Sequence, residues 1–313
     1  MIRVAAALLS IVVVMAAGPA AQAAPHAGAT IDVGELPSGI AVGAGSVWVT
    51  NADSDTVSQI DSATNAVAGE FFATEAPGDV AVDPEHLWVI GNTLDVLNRL
   101  EIAHLTDEHQ GEGEHEHEGL PVGRDPAAVA LTPKDAWVTS FSEGTVWRVS
   151  RRTFTVRGSP IPVGDGPLGI DFGESGLWVA SFLSDTVTLL KPQNGKVVGS
   201  PIQAGDGPVD VVAAYGRVWV VNRLAGTVTV VDARRRVVLG TIDVGNEPTA
   251  IAAGLGGIWV SDLADDTVTL IDPATAAVSG PPIDVGDRPD SIAVGAGAVW
   301  VANVGGTVTR IDP

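Results

Sequence analysis

The sequence predicts an all-β, seven-bladed β-propeller with four-stranded blades, the ring closed by an N-terminal strand that completes the last blade. Three observations carry this. A Trp-Val pair recurs at Trp48, Trp88, Trp137, Trp178, Trp219, Trp259 and Trp300, at intervals of 40, 49, 41, 41, 40 and 41 residues. Each interval holds four short runs rich in Val, Thr and Ile, parted by Gly, Asp, Asn and Pro turns, which describes one propeller blade. The last unit stops a strand short at "TVTRIDP", while "ATIDVGELP" near the start matches "GTIDVGNEP" at 240–248. Stacked helical repeats are excluded, because no unit carries an apolar stripe of helical period and Val and Thr dominate.

In chain order, the first element reads as an export signal. Arg3 is a short positive region, and "VAAALLSIVVVMAAG" is too short to span a bilayer comfortably. Ala21 to Ala23, "AQA", places small residues where a signal peptidase cuts. Residues 1–23 are therefore expected to be a signal peptide and 24–313 a single propeller domain, secreted or otherwise extracytoplasmic. No cysteine stands at the junction for a lipid anchor, and no second long apolar run predicts a membrane span.

Thr30 to Val33 is expected to form the outer strand of the last blade, fastening the ring and removing its free ends. Each later unit repeats one grammar. An inter-blade turn such as "VGDGP" leads into an inner strand such as "LGIDF", then a Gly-bearing turn, the Trp-Val strand and a polar middle turn. "TVTLID" and an outer run follow. In the second unit the first Thr after Trp88 is Thr93, five residues on rather than the usual eight. Read this way, its middle turn is three residues short and its third-to-fourth connection about eleven too long, giving an insertion at about 101–119.

The "WVTN" at Trp48 to Asn51 and the recurring "TVTxID" resemble the YVTN-type β-propeller repeat, a relative of the NHL and streptogramin-lyase-like propellers. The resemblance spans nearly the whole mature chain and implies the fold. Propellers of this type serve as binding platforms, surface-layer components, metal-handling proteins and, in some cases, enzymes.

The formal charge of −21 excludes a nucleic-acid partner, whose phosphates an acidic surface repels, and favours cations or basic partners. The absence of cysteine excludes disulfides, thiol chemistry and thiolate ligation.

Two sites are expected, on opposite faces. Two residues before each turn proline stand Glu35, Glu75, Arg124, Asp165, Asp206, Asn246 and Asp287, an acidic ring on the face of the inter-blade turns. Inner strands are built of small residues, so Asp79, Asp171 and Asp210 are exceptions near the axis, and Asp290 follows its proline closely. These four are candidate channel-mouth ligands for Ca²⁺ or Mg²⁺, which take carboxylate oxygens. The alternative is that such residues cap their own turns.

The second site is the insertion, "HLTDEHQGEGEHEHEG" at 104–119. His104, His109, His115 and His117 with Glu114 and Glu116 are candidate Zn²⁺ ligands, joined by His86 from the first-to-second-strand turn of the same blade. Register puts them opposite the acidic ring. The alternative is a solvated acidic loop with incidental histidines.

The function expected is an exported, non-enzymatic binding protein that captures a divalent, zinc-like transition metal. One alternative is a lyase of the streptogramin-lyase type at the channel mouth. Those enzymes need histidine and glutamate with Mg²⁺ there, and no repeat places a histidine on that face. The other is an interaction platform for a protein or the cell envelope. No catalytic residue is assigned. Trp147, the eighth tryptophan, is expected to pack between blades, and Arg234 to Arg236 to be solvated.

Overall fold

A computed structural model describes residues 24–105, 119–173 and 175–313. Seven antiparallel sheets form the ring: 37–72, 77–121, 126–162, 167–203, 208–243, 248–284, and 289–312 joined by 26–32. The ring is closed as the repeat arithmetic requires. Strand β1 (His26–Asp32) pairs antiparallel with the last strand (Thr307–Asp312), Ile31 lying opposite Val308. The closing strand is longer than the expected Thr30 to Val33, and its register breaks between Ala27 and Thr30. Among the described residues, no helix is long and apolar enough to cross a membrane.

The recurrent residues explain the recurrent geometry. All seven repeat tryptophans are at most 1 % exposed. Each packs against the next blade: Trp48 on Val80, Leu87 and Val89, Trp219 on Ile251, Ile258 and Val260, and Trp300 on Ile40, Val47 and Val49. Seven such clusters fill the seven blade junctions, and each wide ring buries a large apolar surface. A buried indole N–H needs an acceptor. In blades 1, 5, 6 and 7 it donates to a backbone carbonyl five residues earlier, as Trp259 does to Gly254 at 3.0 Å.

The "N…TVT" pattern has an equally local cause. Asn222 Nδ2 donates to Thr227 Oγ1 at 3.1 Å and Thr229 Oγ1 at 2.9 Å, tying the second strand to the third. Asn51 and Asn303 do the same in their blades. Trp147 packs partly buried between blades 2 and 3, as expected. The arginine triplet is not wholly solvated, because Arg236 Nη1 donates to the Val198 carbonyl of the preceding blade.

Blade 2 corrects the sequence register. The Trp88 strand (His86–Gly91) pairs with the third strand (Val96–Glu101), Gly91 lying opposite Val96 as Asn51 lies opposite Thr56 in blade 1. The middle turn is therefore full length. Val96 and Leu97 occupy the Thr-Val positions, and Thr93 lies in the turn. All the excess of the 49-residue interval falls between that third strand and the fourth (Leu120–Pro121). Its root is a 3₁₀ turn, Ile102–His104, and Ile102 N donates to Glu85 O at 2.9 Å. That bond places the root beside the first-to-second-strand turn, on the face away from the inter-blade turns.

Candidate functional site

Asp79 stands on the inner strand of blade 2 (Pro77–Val82), Asp171 on that of blade 4 (Pro167–Gly173) and Asp210 on that of blade 5 (Pro208–Ala214). Each carboxylate reaches the next blade's backbone. Asp79 Oδ2 accepts from Val129 N at 2.8 Å, Asp171 Oδ2 from Ala213 N at 2.8 Å, and Asp210 Oδ2 from Ile251 N at 2.9 Å. The other oxygens of Asp79 and Asp210 accept from the following amide, Val80 or Val211, at 2.8 Å. Hydroxyls span other junctions from the donor side: Ser38 to Pro77 O at 2.8 Å, Thr139 to Leu168 O at 2.7 Å, and Thr249 to Pro289 O at 3.0 Å. The axial aspartates thus act as inter-blade clasps. Gly169 makes room for one of them, since a Cβ there would fall 2.5 Å from Asp210 Oδ1.

Among the described residues these clasps have no ion pair, and their acidity reflects burial. Burial pushes Asp79 up to about 6 and raises Asp171. Burial, with the charges of Asp79 and Asp171 added, pushes Asp210 up to about 7. Asp290, on the inner strand of blade 7 (Pro289–Gly295), differs. Burial raises it, but Arg223 and Arg288 oppose the shift. The structure thus brings Asp79, Asp171 and Asp210 into mutual electrostatic reach and sets Asp290 beside two arginines. Among the described residues, no three His, Asp or Glu side chains stand together as a ready metal-ligand set.

The outer acidic ring is exposed, and the turn caps come from elsewhere than the residues before each proline. At four junctions an aspartate ending the middle turn supplies the cap, Asp185 Oδ1 for Gly207 N at 3.0 Å among them. Asp55 Oδ1 accepts from Ala76 N at 2.7 Å, Asp95 Oδ1 from Asp125 N at 2.8 Å, and Asp266 Oδ1 from Arg288 N at 2.8 Å.

On the opposite face, the insertion root has an organised base. Asp83 Oδ1 accepts from the amides of Glu85 and His86 at 2.9 Å and lies 3.3 Å from His86 Nδ1. Its Oδ2 accepts from Trp88 Nε1 at 2.9 Å and Arg151 Nη2 at 2.7 Å. Burial alone would raise Asp83. The Trp88 indole, the two amides and the Arg151 guanidinium outweigh it and hold the carboxyl far below the usual range. Across the ladder His86 faces Glu101, whose Oε2 lies 2.9 Å from His104 Nδ1. Arg99 stacks 4.9 Å from the Phe154 ring and 5.8 Å from the Trp88 ring, bracing the base. His86, Glu101 and His104 are thus brought to one edge of blade 2. His109, His115, His117, Glu114 and Glu116 lie outside the described residues. Sequence reasoning missed Asp83, although "DPEH" announces an aspartate-capped turn directly before the histidine.

No family model matches the chain, and neither does any curated protein. Solved structures do. A streptogramin B lyase aligns with TM-score 0.74 and 16% identity, covering 92% of this chain and 97% of that one. Virginiamycin B lyase from Staphylococcus aureus aligns with TM-score 0.76 and 15% identity, covering 93% and 100%. Hydrazine synthase from Kuenenia stuttgartiensis aligns with TM-score 0.76 and 16% identity, covering 89% and 96%. At these identities the likeness establishes the shared β-propeller fold.

Proposed function

We propose that the chain is an exported, non-enzymatic β-propeller binding protein that captures a divalent, zinc-like transition metal at the insertion edge of blade 2. The observation that supports this best is the Asp83–His86 pair. A carboxylate beside Nδ1 is the arrangement that orients a ligating imidazole and leaves Nε2 free to donate to a metal. Glu101 and His104 add an oxygen and a second imidazole at the same edge. The remaining ligands, to reach the three or four that Zn²⁺ needs, would come from His109, His115, His117, Glu114 and Glu116.

A lyase at the channel mouth has weaker support. His86 and His104 lie at the far edge of blade 2 and His26 on the outer strand of blade 7, so no described histidine faces the channel. The axial aspartates would have to hold Ca²⁺ or Mg²⁺ while their oxygens accept from backbone amides. A protein or cell-envelope partner would be met by the exposed turns.

Calorimetric titration of Zn²⁺ into the 24–313 protein tests the reading, beside a variant lacking 107–118 and beside His86→Ala. Binding that is lost with the deletion and weakened by His86→Ala supports it. Binding unaffected by both, or no heat at all, sinks it. Protons compete with metal for imidazole, so affinity should fall as pH is lowered.

A further inference from the structure

Leu183 and Leu224 are the most exposed large apolar side chains among the described residues, at 62% and 63%. Both lie on middle turns, on the face of the inter-blade turns, and neither is isolated. A Cβ on Gly166 would fall 2.8 Å from Leu183 Cγ and 2.9 Å from Phe141 Cε2. One on Gly207 would fall 2.7 Å from Leu224 Cγ and 2.9 Å from Phe182 Cε2. At two successive junctions, then, an aromatic ring of one blade meets a leucine of the next over a glycine. These two pairs, the leucines exposed and the rings half-buried, lie on one face as an apolar arc across blades 3 to 5.

The arc is held in place. Phe182 N donates to Gly166 O at 2.8 Å, Leu183 N to Asp165 O at 3.1 Å, and Arg223 N to Gly207 O at 2.8 Å. The two glycines have φ of +63° and +64°, a region a larger residue would enter only with strain. Grouped exposed apolar side chains rimmed by polar residues mark an interaction surface. The opposite face offers a contrast. Tyr215 and Leu255 are also exposed there, at 50% and 46%, but Gly216 and Gly256 beside them have open space around the Cβ position, so those tips stand alone.

We infer that this arc docks a segment of a partner protein carrying apolar side chains interspersed with Lys or Arg. Charge selects that occupant. Exposed Asp165 and Asp206 immediately precede the two glycines, while the nearby arginines are already paired, Arg124 with Glu143 at 3.9 Å and Arg223 with Glu247 at 2.9 Å. A second copy would bring the same carboxylates against themselves on a chain of charge −21, and an anionic membrane surface would be repelled likewise.

The test uses the 24–313 protein and a fluorescent peptide of alternating Leu and Lys, with Gln-for-Lys and Ser-for-Leu versions as controls. Anisotropy at low salt should show binding that needs both Leu and Lys. The double variant Leu183→Ser/Leu224→Ser should weaken it about tenfold or more, as loss of a central apolar contact does. Asp165→Asn/Asp206→Asn should lower low-salt affinity and flatten its salt dependence. Leu255→Ser should leave it unchanged. These positions are exposed, so the melting temperature should hold and exclude misfolding. No binding of the Leu/Lys peptide would overturn the inference, as would loss equal in Leu255→Ser and the leucine pair. Self-association in sedimentation that Leu183→Ser/Leu224→Ser abolishes would overturn it too, in favour of a second copy.

Discussion

Asp79 on the inner strand of blade 2 and Asp83 in the turn that follows it stand four residues apart, and their acidities move in opposite directions. Asp79 accepts only from backbone amides at the channel, and burial pushes it up to about 6. Asp83 pairs with Arg151 at 2.7 Å and accepts from an indole and two amides, which holds it far below the usual range despite burial. The side chain is the same in both places. What differs is whether a cation helps the dipoles to meet the cost of desolvation. The channel aspartates are parts of the ring that tolerate a proton, whereas Asp83 is a fixed charge around which an imidazole can be oriented.

The strongest blow to this contrast comes from removing the fixed charge. Asp83→Ala strands the Arg151 guanidinium and the Trp88 indole in a half-buried site, and should cost about 3–5 kcal/mol by urea unfolding. A cost under about 1 kcal/mol would mean that Asp83 is not what organises the base. The wild-type contribution of Asp83 is present above the ordinary carboxylate pKa of about 4 and is lost as pH falls below it.

The channel aspartates should show the reverse slope. Their folded pKa values lie above the unfolded value, so folding takes up protons between them. Stability is therefore lost as pH rises from about 4, with the full cost reached above about 7 for Asp210. Asp210→Asn removes that titration while weakening one clasp. The variant should be less stable than wild type at the acid end. The gap should then shrink, on the order of 1–3 kcal/mol, toward neutral pH. A constant gap across that window in thermal unfolding would show that Asp210 ionises as freely as a surface carboxylate.

How much of this was legible in the sequence follows from the range of each interaction. The blades were legible because Trp, Asn and the Thr pair act within one repeat, and a fixed spacing reveals them. Register failed only in blade 2, where Val96 and Leu97 stand at the Thr-Val positions and Thr93 offers a false match. Asp79, Asp171 and Asp210 were visible as oddities, but their role was not, because their partners are backbone amides of the next blade. Val129 is 50 residues from Asp79 and Ile251 is 41 from Asp210. A backbone amide has no residue type to search for. The apolar arc was hidden for the opposite reason: Phe141, Phe182, Leu183 and Leu224 lie in turns outside the repeated positions, and the repeat drew the reading to itself.

A smaller change separates orientation from bulk at the insertion edge. His86→Asn keeps a polar side chain on a ladder whose backbone pairing with Glu101 does not depend on the imidazole. It should cost about 1 kcal/mol or less of stability, since the amides of Glu85 and His86 still donate to Asp83. If Asp83 exists to orient His86 for a metal, Asp83→Asn and His86→Asn should weaken Zn²⁺ binding by similar factors, about tenfold or more. If Asp83 serves only Trp88 and Arg151, His86→Asn alone should reduce Zn²⁺ affinity, and Asp83→Asn should change stability without it.

The smallest expected effect belongs to the outer ring. Asp287 is exposed in its turn, and the adjacent backbone is capped instead by Asp266, which accepts from Arg288 N at 2.8 Å. Asp287→Asn should shift stability by no more than about 0.5 kcal/mol, whereas Asp266→Ala, which removes the cap, should cost about 1 kcal/mol. Equal costs in urea unfolding would return the capping role to the residue before the proline. Unequal ones would leave the exposed carboxylates free of any structural duty, and their charge would then be available to a partner rather than committed to the turn.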